Sequence, residues 1–273
     1  MLYNFNFKKR WGQNFLVDQN IVRKIIESAD VSANDNILEI GPGDGFLTKF
    51  LLEKSKTVTA IEIDKKLFAF LTDKFKNFPS LNLIQADALK YDWNAMSGVI
   101  NKVVANIPYQ ITSPLIFKCI NELPNCERYV FMIQKEVADR LAAGPDSKEY
   151  GAFSVVVQSV WDIKKCFNVS RNVFNPKPKV DSAVICAGPK KDMLIAQSEI
   201  TGFGNMMKFV FSKRRKVLLN VLAKEYNINR EVLQVFWKER SLLLTCRAEN
   251  VPVKTWNILF NLIKKAVKAK RKC

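Results

Sequence analysis

Histidine is absent from all 273 residues of this chain. Its absence removes the imidazole general base, every triad built on histidine and the most versatile nitrogen ligand for metals. The six cysteines, Cys119, Cys126, Cys166, Cys186, Cys246 and Cys273, contain no C-x-x-C pair. Neither a metal site nor a disulfide framework is therefore expected, and the thiols read as reduced. No apolar run approaches the length that crosses a bilayer, and no repeat or low-complexity tract is present. The residues ahead of the first motif, ending in Lys8-Lys9-Arg10, are too few for a signal or transit peptide. A cytoplasmic, monomeric protein with no membrane partner is the expectation.

What remains is an ordinary globular composition, 48% hydrophobic and 25% charged, long enough to bury a large core beside a smaller one. The net charge of +17 is unevenly spread. Residues 187–273 carry 19 Lys and Arg against 6 Asp and Glu, whereas residues 1–186 carry 24 against 20. The basic excess thus belongs to the C-terminal third, and it points to a polyanion. Nucleic acid fits better than a membrane surface because these cations lie among core-forming helical patterns. A merely solvated basic surface is the plainer alternative.

Short apolar runs at Ile37–Ile40, Thr57–Ile63, Leu81–Ala86, Lys102–Ala105 and Tyr129–Ile133 alternate with segments of helical period. This is the pattern of an α/β fold with a mainly parallel sheet covered on both faces. A further strand over Val180–Ala187 is expected near the sheet's edge, and Gly188-Pro189 marks a break. Helical patterns then run through Met206–Leu222, Arg230–Trp237 and Val253–Val267, with the basic end from Lys264 expected to fray. Two domains follow: 1–187, an α/β domain, and 188–273, a small basic helical domain.

Open α/β folds place their chemistry where strands spill into loops. The first strand ends in Glu39-Ile40-Gly41-Pro42-Gly43-Asp44-Gly45, the second in Glu62-Ile63-Asp64, the third in Asp87-Ala88 and the fourth in Asn106-Ile107-Pro108-Tyr109. Gly-x-Gly-x-Gly is tighter than the dinucleotide fingerprint, and the loop lacks the Lys-Ser/Thr ending of a P-loop. A phosphate-free ligand with amino-acid and adenosine parts, S-adenosylmethionine, suits it better. Each feature also has a structural reading, as a turn, a solvated strand end or a helix N-cap. Four strand ends carrying them in order weigh toward a site.

Lys9–Leu16, Glu39–Gly43, Asn106–Tyr109, Gln134–Leu141, Pro176–Ala183 and Arg247–Asn250 together resemble the small-subunit ribosomal RNA adenine dimethyltransferases, over about Lys9 to Trp256. The resemblance implies a Rossmann-like S-adenosylmethionine-dependent methyltransferase domain with a C-terminal helical domain. It implies dimethylation of two adjacent adenosines in the 3'-terminal hairpin of small-subunit rRNA, with the small ribosomal subunit as partner. Carried over by motif, Asn14 and Leu16 would flank the methionine part of the cofactor, and Gly41 and Gly43 would meet it through the backbone. Glu62 would hold the ribose, Asp87 the adenine, and Asn106 the boundary between cofactor and base. Asn106 and a main-chain carbonyl near Pro108 would accept the two N6 hydrogens, with Tyr109 and Phe174 on the two base faces. Lys213, Arg214, Arg215, Lys216 and Arg247 would contact RNA phosphates.

Two residues depart from the family pattern. Asp44 stands where a small or apolar residue is common, and Ile107 replaces a common Leu, as in the related large-subunit rRNA methyltransferases of macrolide resistance. That substrate, and a non-enzymatic ribosome-assembly role, are the alternatives; the long Pro176–Ala183 and Arg247–Glu249 motifs favour the small-subunit enzyme.

Overall fold

The computed structural model describes residues 14–270; Lys9–Gln13 of the N-terminal motif and Arg271–Cys273 lie outside them. The strands are β1 (Phe15–Leu16), β2 (Asn36–Ile40), β3 (Thr57–Glu62), β4 (Leu81–Gln85), β5 (Lys102–Asn106), β6 (Arg128–Gln134), β7 (Trp161–Val169), β8 (Phe174–Asn175) and β9 (Ser182–Pro189). The helices are α1 (Gln19–Ala29), α2 (Phe46–Leu52), α3 (Lys65–Lys74), α4 (Thr112–Glu122), α5 (Lys135–Ala142), α6 (Ala152–Gln158), α7 (Ile200–Ser212), α8 (Leu218–Tyr226), α9 (Arg230–Glu239) and α10 (Val253–Lys270).

The chain divides into two compact units. The first runs through Ala138 and resumes over Ile163–Pro189. Its seven-stranded sheet has the order β4-β3-β2-β5-β6-β9-β7. Strands β2 to β6 are mutually parallel, and β9 joins β6 antiparallel. From β2 the chain builds outward to β3 and β4 on one side and to β5 and β6 on the other. The switch in direction between β2 and β5 leaves a crevice at their carboxyl ends.

Local chemistry explains these elements. Ile37, Leu38, Val103 and Val104 are fully buried, as strands covered on both faces require. Helix α1 starts at Asp18, whose carboxylate accepts the Asn20 and Ile21 amides at 2.8 and 3.2 Å. It buries Val22, Ile25, Ile26 and Ala29, one stripe at helical spacing, and stops at Asp30 in a left-handed conformation. At the amino ends of the strands, Lys102 pairs with Asp35 at 2.9 Å, and Asn101 donates to the same carboxylate at 2.7 Å. That end of the sheet is closed by a satisfied polar network.

The Val180–Ala187 strand expected at the edge is β9, and it lies one strand inward. The edge is β7, which the sequence conceals because Asp162, Lys164, Lys165 and Asn168 interrupt its apolar pattern. Charged residues on an edge strand keep its open side solvated and unattractive to other chains.

The second unit comprises Asp139–Asp162 together with the chain from Lys190 onward. The chain enters this unit at Asp139, leaves it at Ile163 and re-enters it at Lys190, whereas the sequence pattern predicts a single boundary at 187/188. Within this unit the Tyr150 hydroxyl donates to the Val251 carbonyl at 2.9 Å, and the Ser159 hydroxyl to Asn257 Oδ1 at 3.2 Å. Ser154 and Val155 to Val157 of α6 are buried. Trp237 and Trp256 fill the core, and Phe203 meets Phe260 edge-on at 5.2 Å.

Two helical expectations are also corrected. Met206–Leu222 is not continuous: α7 ends at Ser212, and the turn Lys213–Val217 precedes α8. Four consecutive cations solvate best in an open turn, and the Leu218 amide bonds to the Cys246 carbonyl at 2.9 Å. Helix α10 continues to Lys270, past the point where fraying was expected.

Candidate active site

The carboxyl ends of β2, β3, β4 and β5 open onto a cavity of about 300 Å³. Asn14, Leu16, Gly41, Gly43, Glu62, Asp87, Asn106, Pro108, Tyr109 and Phe174, widely separated in sequence, all line it.

After β2 the chain turns through Gly41, Gly43 and Gly45 at φ of +67°, +62° and +76°. At Gly43 the positive φ favours glycine, and an added Cβ would stand 3.0 Å from the Phe15 ring, which would have to shift. The Glu62 carboxylate, at the end of β3, accepts the Gly43 amide at 3.3 Å and the Asp64 amide at 2.8 Å. Burial raises the Glu62 pKa, against the lowering effect of those two amides. Asp87 follows β4 and lines the cavity; one of its oxygens accepts the Leu89 amide at 2.9 Å.

Asn106 ends β5. Its Nδ2 donates to the Asn14 carbonyl at 3.3 Å, which fixes the amide so that Oδ1 is the free-standing acceptor. The Ile107 amide bonds to the Met132 carbonyl at 3.1 Å, and its side chain is buried. Ile107 thus answers to packing, which makes its departure from the common Leu a conservative one. Pro108 opens a short 3-10 turn, its carbonyl accepting the Ile111 amide at 3.1 Å with a second lone pair left over. The Tyr109 hydroxyl lies 2.9 Å from the Ser182 hydroxyl, and burial raises its pKa. Phe174 pairs through its backbone with Leu16, lines the cavity and also belongs to the core cluster.

Glu39 is a buried acid of the cavity to which sequence reasoning assigned no role. It is 1% exposed, and its Oε2 has no hydrogen-bond partner among the described residues. Burial, with the neighbouring Asp44 and Glu62 carboxylates, pushes its pKa up to about 8. The signal was a lone acid inside the apolar run Ile37-Leu38-Glu39-Ile40. Asp44 is likewise raised by burial, and its carbonyl accepts Lys74 Nζ at 2.5 Å.

In a chain of net charge +17, the described lining of this cavity holds four carboxylates, Glu39, Asp44, Glu62 and Asp87, and no lysine or arginine. Such a lining repels polyphosphates. It suits a cationic ligand with hydroxyl and amine donors. S-adenosylmethionine, with its ammonium, sulfonium, ribose and adenine groups, has the matching chemistry.

A family model described as ribosomal RNA adenine dimethylase matches residues 4–265. The chain belongs to that family. Relatives called ribosomal RNA small subunit methyltransferase A include one from Clostridium acetobutylicum, 40% identical over 94% of each chain. Another, from Chlorobium phaeobacteroides, is 42% identical over 93% of this chain and 92% of its own. Among solved structures, a dimethyladenosine transferase from Plasmodium falciparum superposes with a TM-score of 0.79 at 28% identity, covering 92% of this chain and 98% of that one. The 23S rRNA methyltransferase ErmE gives 0.73 at 25% identity, over 92% and 100%. This dimethylase is therefore an rRNA methyltransferase with a Rossmann-like sheet and a helical C-terminal part.

The five basic residues expected to meet RNA lie in the second unit. Lys213, Arg214, Arg215, Lys216 and Arg247 are all exposed. Arg214 differs: its Nε and Nη2 both donate to Glu249 Oε2, at 2.8 and 2.5 Å. In the described residues no helix is long and apolar enough to cross a membrane, and no group of three or more His, Cys, Asp or Glu could hold a metal ion.

Proposed function

We propose that this dimethylase transfers methyl groups from S-adenosylmethionine to N6 of two adjacent adenosines in the 3'-terminal hairpin of small-subunit rRNA, giving N6,N6-dimethyladenosine during ribosome maturation. The observation that carries the proposal is the cavity at the sheet's switch point, lined by four carboxylates, no cation and the Asn106–Tyr109 segment. Identities of 40–42% to small-subunit methyltransferases, against 25% to a 23S rRNA enzyme, favour the small subunit. The setting is a monomer in the cytoplasm, where subunits are assembled.

Asn14, Leu16, Gly41, Gly43, Glu62 and Asp87 hold the methyl donor in this reading, with Glu62 facing ribose hydroxyls and Asp87 the adenine amine. When bound, the donor supplies an electrophilic methyl group on a sulfonium. The target amine is a poor nucleophile because its lone pair is delocalised into the ring. Asn106 Oδ1, held as an acceptor by the Asn14 carbonyl, takes one N6 hydrogen. A main-chain carbonyl near Pro108 takes the other, favouring a pyramidal nitrogen. Tyr109 and Phe174 stack on the two faces of the extruded base. The methylated amine is cationic and acidic enough to release its proton to water, so a chain without histidine suffices. Lys213, Arg215, Lys216 and Arg247 bind phosphates, with Arg214 contributing least because of its partner Glu249.

The test is to incubate the purified protein with labelled S-adenosylmethionine and unmethylated small or large subunits, then map the modified bases. Label on two adjacent adenosines near the 3' end of small-subunit rRNA is expected. Label confined to large-subunit rRNA would overturn the substrate, and no label in any RNA would overturn the activity.

A further inference from the structure

We infer that Asp181 and Ser182, which do not line the cavity, act together as a positioning bracket that sets the spacing of its two aromatic walls, Tyr109 and Phe174. The inference rests on the proposed role of those rings in holding the target adenine.

Ser182 begins β9, is 1% exposed and sits opposite Gln134 of β6. Its hydroxyl is bonded to that of Tyr109, 73 residues earlier. Asp181, the preceding residue, uses its carboxylate differently. Its Oδ1 accepts the Arg171 amide at 3.0 Å. Arg171 opens the 3-10 turn Arg171–Val173, which leads directly into Phe174. The same arginine donates through Nη1 to the Lys179 carbonyl at 3.0 Å, a second tie between that turn and the segment ahead of Asp181. The Asp181 carbonyl accepts the Lys135 amide at 3.0 Å, anchoring the pair just past the end of β6. Two consecutive residues thus hold one aromatic wall by its side chain and the other through the backbone leading into it. This gives the Pro176–Ala183 motif a physical task. An extruded base must be held flat between rings whose separation is set in advance, and a misplacement of about 1 Å can cost about 10²-fold in rate.

The spacing role is separable from a merely structural one. Ser182→Ala and Tyr109→Phe each remove one end of the same hydrogen bond. Each is expected to lower kcat on small subunits by about 5- to 10-fold while KM for S-adenosylmethionine stays within about twofold. Because they break one interaction, the double variant should be no slower than the slower single variant. Asp181→Ala should lower kcat similarly, and Asp181→Asn, which keeps an acceptor oxygen, should recover most of that loss. Tyr109→Phe keeps the test open should Ser182→Ala fail to fold. Losses that multiply in the double variant, an unchanged kcat in Tyr109→Phe, or no recovery in Asp181→Asn would each overturn the bracket. A Tyr109→Ala variant at full rate would instead overturn the base-holding role of the ring itself.

Discussion

The Gly43 amide, in the turn after β2, donates to the Glu62 carboxylate at the end of β3 across 3.3 Å. The same carboxylate accepts the amide of Asp64, whose own side chain caps α3 by accepting the Lys66 amide at 2.8 Å. One acid therefore sets the shape of two neighbouring loops, and it lines the cavity. In Glu62→Gln the new amide nitrogen must confront one of those two N–H donors. Binding of S-adenosylmethionine, measured by calorimetry, is expected to weaken by at least about 10-fold, or about 1.4 kcal/mol.

Gly45 and Gly98 offer a paired test of the glycine turn. Both have positive φ, but a Cβ at Gly45 would lie 2.5 Å from Phe75 Cε2 and 2.7 Å from Leu71 Cδ2, whereas one at Gly98 meets nothing within 4 Å. Gly98→Ala should cost only the conformational term, about 1 kcal/mol. Gly45→Ala adds overpacking and should cost about 2–4 kcal/mol in urea unfolding.

The buried Glu39 carboxyl makes stability depend on pH with a definite sign. The unfolded chain loses this proton near the ordinary value of 4.5, and the native state keeps it to about 8. Between those limits the native state binds more protons, so its contribution is full at low pH and declines until about pH 8. Glu39→Gln, neutral throughout, is expected to gain stability relative to the parent as pH rises from 5 to 8.5, with the difference levelling above that. Unfolding free energies at several pH values measure it. A gap independent of pH would refute the assignment.

Asn106 tests the chemistry. Asn106→Ala should lower methyl transfer by at least about 10²-fold while subunit binding stays within about twofold. Asn106→Asp sets a carboxylate against the Asn14 carbonyl that the Nδ2 group now satisfies, and it should be equally inactive.

Salt dependence separates the cations of the helical unit. Removing Lys213, Arg215 or Lys216 should each reduce the slope of log K against log salt by up to about 0.7–0.9. Arg214→Ala should change it least, because that charge is already paired with Glu249. Filter binding to small subunits over a range of salt gives the slopes.

The parallel strands were legible because each is a short apolar run bounded by loops, and the cavity residues because they stand at successive strand ends. β7 was hidden by the charges that an edge strand tolerates. The break between α7 and α8 was hidden because Met206–Leu222 keeps its apolar spacing across the cationic turn. Asp139–Asp162 carries no local mark of belonging with residues 190 onward, since its partners, such as Val251 for Tyr150, lie about a hundred positions away.

The sequence by itself determined the run of parallel strands, the Gly-x-Gly-x-Gly spacing that departs from the dinucleotide and P-loop fingerprints, the exclusion of imidazole chemistry and the placement of the positive charge. Those properties belong to residues and their near neighbours. Only the tertiary structure decided which way the Asn106 amide points, that burial lifts the Glu39 pKa far above its ordinary value, and that Asp181 and Ser182 reach the two aromatic walls. Each depends on desolvation or on a hydrogen-bond partner supplied by a distant segment, and these exist only once the strands have been brought together.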